Sequence, residues 1–251
     1  MADSVAGVVL GAGAGTRLLP LTRLRPKVLC PLGDRALIDH AIERFDGVTQ
    51  SLAVNVHAGR AQVESHLADR VHLSFEDDRP EPLGTAGALG RLRDWIASRP
   101  VLVANGDTWC PQSMAVLLDG WDGERIRVLV SRAERFAPGV PIAGCVLPWR
   151  DVVDIPAEPR GLTPIWLRAA AQGRLASVRL DDEVPWADCG TPASYLAANL
   201  TWSGGESVVG ARASVEGTVD RCVVWPDAEV RRGEHLVNAI RATRRVTVLV
   251  R

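Results

Sequence analysis

Residues Val5 to Leu10 form an apolar run that gives way at once to Gly11-Ala-Gly-Ala-Gly15. A short apolar run bounded by glycines reads as a buried strand. A glycine-rich turn after such a strand lets backbone N–H groups approach an anion that a side chain would block. Strand and helix signals then alternate. They predict a helix over 36–45, a strand over 51–56, a helix over 61–67, a strand over 71–75, a helix over 86–97 and a strand over 101–104 ending in Asn105-Gly106-Asp107. Alternation of this kind builds a doubly wound, mostly parallel sheet, and ligands bind such sheets beyond the carboxyl ends of the strands. Both the glycine loop and Asp107 fall at such ends.

The second half gives strands over 126–131 and 143–147, a helix over 164–172, and a last helix opened by Thr191 or Pro192 and running to about Leu200. From Ser207 the texture changes to short apolar pieces separated by Gly, Pro and charge, with Val209 and Val215, then Val224 and Val230, six residues apart. This spacing suggests a few turns of a hexapeptide β-helix of the left-handed type. The organisation expected is an α/β domain over 1–203 and a β-rich tail over 204–251. Apolar surface on that tail, at its valines and Trp225, predicts self-association if left unpaired.

The residues downstream of the glycine loop separate three readings of it. A dinucleotide-binding loop opens into a helix, whereas Pro20 and Pro26 here impose an extended path; a Walker A loop needs Gly-Lys-Ser/Thr, whereas this one has Gly15-Thr16-Arg17 and delays its lysine to position 27. What remains is a loop that holds phosphates through glycine amides and Arg17 and then presents Lys27 from the Pro26-Lys27 corner. Lys27 is the single lysine beside 28 arginines. A position that keeps lysine where arginine serves everywhere else needs a compact, rotatable ammonium.

Gly13-Ala-Gly15-Thr16-Arg17 with Pro26-Lys27, the segment Leu83-Gly-Thr-Ala-Gly-Ala-Leu89, Asn105-Gly-Asp107, and Asp188-Cys-Gly-Thr-Pro192 before Tyr195 occur in one order. In these motifs the chain resembles the sugar-nucleotide pyrophosphorylase (NTP-transferase) family over roughly residues 5 to 200. The resemblance implies a Rossmann-like nucleotidyltransferase. A phosphate oxygen of a sugar-1-phosphate-like acceptor would attack the α-phosphorus of a nucleoside triphosphate and release pyrophosphate.

The resemblance implies catalytic roles for Arg17, Lys27 and Asp107. It implies nucleotide binding by Leu10, Gly11, Ala12, Gly13, Ala14, Gly15 and Thr16, by Gly84 and Thr85, and by Asn105 and Gly106. Acceptor binding falls on Gly144 and Trp186. Mg²⁺ would be shared by Asp107 and Asp188, a hard cation on carboxylate and phosphate oxygens. Each residue also has a plainer reading: Asp107 shaping a turn, Asp188 capping the last helix, Gly84 to Gly87 as a helix start, His57 and Trp186 as structural side chains. The chain lacks the acidic-lysine-proline segment that many relatives place around the sugar, and Ala157-Glu-Pro159 has no lysine. The residues alone therefore leave the acceptor open, although the compact form is similar to bacterial members acting on mannose-1-phosphate or N-acetylmuramic acid-1-phosphate. A catalytically inactive nucleotide-sugar sensor on the same fold is the alternative function.

A formal net charge of −1 argues against nucleic acid or an anionic membrane as partner. Five cysteines, Cys30, Cys110, Cys145, Cys189 and Cys222, form neither a C-x-x-C pair nor a cluster with histidine, which speaks against a disulfide framework or structural zinc. The lead-in Met1–Ser4 opens onto an apolar segment too short for a signal peptide, and the expected location is the cytoplasm.

Overall fold

The computed structural model describes residues 4–76, 78 and 80–250; the reading of Met1–Asp3 as a lead-in lies outside them. The chain divides into two compact units, the first formed by 1–13, 41–106 and 110–184 and the second by 14–40, 107–109 and 185–251.

The first unit is built on a seven-stranded sheet. Its strands are β1 (Ala6–Leu10), β2 (Leu52–Val56), β3 (His72–Phe75), β4 (Val101–Asn105), β6 (Ile126–Val130), β7 (Ile142–Leu147) and β8 (Leu175–Arg179). A further strand, β5 (Thr108–Trp109), belongs to the second unit. The sheet order is β8-β6-β7-β4-β1-β2-β3, parallel except for β7, which runs antiparallel to β4 and β6. The α/β class with a mostly parallel sheet is the one expected. Central strands read as continuous apolar runs because both faces are covered: Ala6, Val8, Val101, Val103, Val128 and Val130 are all buried in one core. β8 carries no such signal. It is one of the two edge strands, and most of its residues are only half-buried.

Helices in the first unit include α2 (Arg60–Leu67), α3 (Gly84–Arg91), α4 (Arg93–Ile96) and α5 (Thr163–Ala171), while α1 (Leu37–Glu43) precedes β2. The single helix expected over 86–97 is two, because Leu92 leaves helical geometry at φ −83°, ψ 0°. The glycines of α3 form one face, Gly84, Gly87 and Gly90, against which the segment 155–160 lies. A Cβ at Gly87 would stand 2.0 Å from the Glu158 carbonyl oxygen, and one at Gly90 would stand 2.6 Å from those of Ile155 and Pro156. Ala157-Glu-Pro159, which fits no motif in the sequence, is thus part of the strip that packs on α3.

The second unit contains β5, β9 (Ala187–Asp188), α6 (Pro192–Trp202) and the C-terminal region. Thr191 caps α6 through the Ser194 N–H, with Ser194 answering in a capping box, so Asp188 is not the cap. Beyond α6 the chain forms a parallel β-helix. Val208–Val209 pairs with Val223–Val224, which pairs with Ala239–Arg241, while Ser214–Val215 and Thr218–Asp220 pair with Glu229–Val230 and His235–Val237 on two further faces. Thr247–Leu249 closes it as an antiparallel strand. Its core is continuous with α6. Trp225 is buried and donates from Nε1 to the Tyr195 hydroxyl at 3.0 Å, and the Arg25 guanidinium lies 4.8 Å from the Trp225 ring centroid. Trp225 therefore contributes no exposed apolar surface, whereas Val209, Val215, Val237 and Leu249 do.

Candidate active site

In the second unit the run from Gly15 to Lys27 does not follow the extended path that its prolines suggest. It folds as three short 3₁₀ turns, Thr16–Leu18, Leu21–Arg23 and Lys27–Leu29. Leu18 and Leu21, three residues apart, are both fully buried and pull the chain into this winding. Gly15 adopts φ +64°, and a Cβ there would stand 2.7 Å from Thr22 Cγ2 and 2.9 Å from Lys27 Cβ. The turn is held by the Thr22 hydroxyl, which donates to the Gly15 carbonyl at 3.0 Å. These contacts fix where Lys27 begins.

The Lys27 side chain is buried except for 5 % of its surface, and its ammonium is directed at two carboxylates: Nζ lies 2.5 Å from Asp107 Oδ2 and 3.5 Å from Asp188 Oδ1. The carboxylates come together because β5 and β9 pair antiparallel, with Asp188 opposite Thr108 and the Cys189 N–H donating to the Asp107 carbonyl at 3.2 Å. Arg17, largely exposed, stands 3.7 Å from Asp188 Oδ2. Gly190 leaves room for this group, since a Cβ there would lie 2.8 Å from the Arg17 guanidinium and 2.9 Å from the Asp188 carboxylate. Four charged side chains from three stretches of sequence are thereby gathered, with Asp107 and Asp188 both partly open to solvent. Burial pushes the neighbouring Cys30 and Cys189 thiols up to about 12, so both stay neutral at ordinary pH. Trp186 is half-buried on the strand approach to Asp188.

The first unit carries a separate cleft of about 170 Å³ at the ends of β1, β4 and β7. Leu10, Thr85, Asn105 and Gly144 line it, together with Ile142 and Trp166. None of its lining side chains is charged, so it suits a base or sugar ring rather than a phosphate. Gly144 must be small: a Cβ there would meet Met114 Sδ at 3.0 Å and the Val103 carbonyl at 3.2 Å. The Thr85 hydroxyl accepts from the Leu162 N–H at 2.9 Å, and the Arg160 carbonyl accepts from the Ala86 N–H at 2.9 Å, which tethers 160–163 to the start of α3. Gly11 and Gly106 are held at the strand ends, the Gly106 N–H donating to the Leu10 carbonyl at 2.9 Å. The expected nucleotide-binding residues thus fall in two groups. Leu10 to Gly13, Gly84, Thr85, Asn105 and Gly106 lie in the first unit, and Ala14, Gly15 and Thr16 lie in the second with Arg17 and Lys27.

A match to the family described as "Nucleotidyl transferase" covers residues 6–131, the stretch holding the glycine loop, Lys27, the Gly84 segment and Asp107. The chain belongs to the nucleotidyl transferase family. It is 32 % identical over 229 residues to the N-acetylmuramate alpha-1-phosphate uridylyltransferase of Caulobacter vibrioides, covering 76 % of this chain and 94 % of that one. Similarity to the mannose-1-phosphate guanyltransferase of Schizosaccharomyces pombe is 38 % over 119 residues, 44 % of this chain and 32 % of the relative. In fold, this nucleotidyl transferase resembles a Bacillus anthracis protein crystallised with sucrose (TM-score 0.67, 19 % identity, 78 % of this chain and 94 % of that one). It also resembles HddC from Yersinia pseudotuberculosis (TM-score 0.61, 18 % identity, 78 % and 99 %).

Two residues at or beside the cleft carry no signal in the sequence. Trp166 reaches the cleft from α5, where only a helical period is visible. Arg44 is almost fully buried, donating from Nε to the Gln112 carbonyl at 2.9 Å and from Nη1 to the Ala143 carbonyl at 2.7 Å, beside Gly144. Burial holds its pKa below the usual arginine value. An arginine among 28 does not stand out. Among the described residues, no helix is long and apolar enough to cross a membrane.

Proposed function

We propose that this chain is a sugar-1-phosphate nucleotidyltransferase that transfers a nucleoside monophosphate from a nucleoside triphosphate to a sugar-1-phosphate or sugar-like phosphate. A phosphate oxygen of the acceptor attacks the α-phosphorus, the bond from that phosphorus to the bridging oxygen breaks, and pyrophosphate leaves with the electron pair. The convergence of the only lysine with Asp107 and Asp188 carries this reading, because phosphoryl transfer of this kind depends on positioning and charge neutralisation.

Lys27 neutralises charge at the α-phosphate and acceptor phosphate, and Arg17, exposed and long, holds the departing pyrophosphate. Asp107 and Asp188 would hold Mg²⁺, whose preference for hard oxygen donors their carboxylates meet and which would supply further neutralisation of phosphate oxygens when bound. The amides of 12–15 cradle the phosphates, the Gly11 N–H being held by Asn55 Oδ1. The uncharged cleft lined by Thr85, Asn105 and Gly144 takes the nucleoside and the acceptor ring. The Caulobacter relative, matched over nearly its whole length, puts UTP and N-acetylmuramate α-1-phosphate first among substrates to try. We place the enzyme in the cytoplasm, with the exposed valines of the β-helix as the surface for self-association, and keep the division at residues 203 and 204 as the boundary between the catalytic domain and the tail.

The test is pyrophosphate release with Mg²⁺, each common nucleoside triphosphate being paired with a panel of sugar-1-phosphates beside a Lys27→Ala control. Release that requires both substrates and disappears in the control supports the transferase. Silence across the panel with nucleotide-sugar binding intact overturns it.

A further inference from the structure

Between the glycine loop and the start of α3 the first unit holds a buried chain of hydrogen bonds that the chemistry above does not use. The Gly11 N–H donates to Asn55 Oδ1 at 2.8 Å, Asn55 Nδ2 donates to Glu76 Oε1 at 2.9 Å, and the Leu83 N–H donates to Glu76 Oε2 at 2.9 Å. Asn55 is the fourth residue of β2, and Glu76 follows β3, its own N–H donating to the Val56 carbonyl. Glu76 is fully buried and Asn55 nearly so. The ends of the chain are the two loops that flank the cleft: Gly11 follows Leu10, and Leu83 precedes Gly84 and Thr85.

We propose that Asn55 and Glu76 are positioning residues that fix the phosphate loop and the α3 loop relative to each other, and so set the enzyme's grip on the nucleoside triphosphate. The inference rests on the transferase reading for the identity of that ligand. The chemistry of the bridge is dictated by its ends. Both are backbone N–H donors, so any link must present an acceptor to each. An amide supplies one acceptor and passes on a donor, and a carboxylate then accepts from that donor and from Leu83. Asn followed by Glu meets every bond. A buried carboxylate is unfavourable where apolar packing would serve, which marks the bridge as more than filling.

Exchanging donors and acceptors along the bridge tests it. In Glu76→Gln one end of the bridge faces donor against donor: the introduced amide must turn its oxygen to the Leu83 N–H and its amino group to Asn55 Nδ2, or Asn55 must turn over and oppose the Gly11 N–H. In Asn55→Asp two carboxylate oxygens face each other. The double variant Asn55→Asp/Glu76→Gln restores the pattern in reverse. The Gly11 N–H then donates to one oxygen of the new carboxylate, the new amide donates to the other and accepts from the Leu83 N–H, and the charge is unchanged.

Amide hydrogen exchange over 11–15 and 83–90 should rise together in each single variant and return to the wild-type level in the double. In pyrophosphate release, each single variant should raise KM for the nucleoside triphosphate by about tenfold or more, as leaving a buried donor or acceptor unmet implies. KM for the acceptor at saturating nucleotide should stay near wild type, and the double variant should recover the nucleotide KM. Exchange that rises in only one segment overturns the bridge, as does a nucleotide KM that changes no more than the acceptor KM. A double variant as impaired as the singles does the same. If a single variant fails to fold, the double decides alone by the same two readouts. Because exchange needs no substrate, a wild-type enzyme that releases no pyrophosphate overturns the transferase reading and the nucleotide role of the bridge together, while exchange rising together in both segments still upholds the link between the loops.

Discussion

The Lys27 ammonium lies 2.5 Å from the Asp107 carboxylate, across 80 residues of sequence, and it is the only lysine in the chain. Its stem is packed against the Gly15 turn with 5 % of the side chain exposed, and a planar guanidinium fork does not reproduce its compact ammonium. Lys27→Ala should therefore lower kcat on the order of 10²-fold or more, and Lys27→Arg should not restore it. Stability should fall only by the lost packing of the lysine stem, because both carboxylates reach solvent and can hydrate once the ammonium is gone. Steady-state pyrophosphate release beside thermal melts checks both halves.

Asp107, just before β5, and Asp188, in β9, face the Lys27 ammonium from two strands that pair by only two residues. Replacing either with Asn keeps shape and removes charge. Each should lower kcat/KM by about 10²-fold or more and raise the Mg²⁺ concentration needed for half-maximal rate. Titrating Mg²⁺ against rate separates this from a folding defect, since misfolding lowers the plateau and leaves the midpoint in place.

Much of this architecture is legible in the sequence for one reason: a doubly wound sheet buries both faces of its central strands, so Val5–Leu10, 51–56 and 101–104 stand out as apolar runs. The loop residues at their ends can be read because glycine and proline restrict the backbone locally. The elements that stay hidden depend on contacts made at a distance. β8 lies at the sheet edge and needs little apolar surface. β5 and β9 exist only because they meet each other. The winding of 16–29 follows from the burial of Leu18 and Leu21, which no local rule reveals. Trp166, Arg44 and the Asn55–Glu76 bridge are ordinary residues until the fold gives each its neighbour.

The glycine face of α3 gives a packing prediction. A methyl at Gly87 would stand 2.0 Å from a backbone oxygen of Glu158, which cannot turn aside as a side chain could. Gly87→Ala should destabilise the protein by about 1–3 kcal/mol despite alanine's better helix propensity. Gly173→Ala, at φ +68° with nothing within 4 Å of the added methyl, tests backbone strain alone. Urea denaturation of both variants distinguishes steric overlap from backbone strain.

The buried thiols set a pH dependence. Burial pushes Cys30, Cys145 and Cys189 from an ordinary value of 9.0 up to about 12, the Trp166 indole beside Cys145 pulling weakly the other way. An acid whose folded pKa is raised stays protonated in the folded chain while the unfolded chain ionises. The stabilising contribution is thus complete below pH 9 and is lost as pH climbs from 9 toward 12. In that window each such thiol adds about 1.4 kcal/mol of lost stability per pH unit. Cys145→Ala should therefore show a shallower fall in denaturation midpoint between pH 9 and 11 than the parent chain, even if its stability at pH 7 is lower. At pH 8 the three thiols should ignore a disulfide-exchange reagent until the chain is unfolded. Prompt reaction of any of them in the native protein, or parallel pH slopes for the variant and its parent, would refute the assignment of these thiols as neutral core groups.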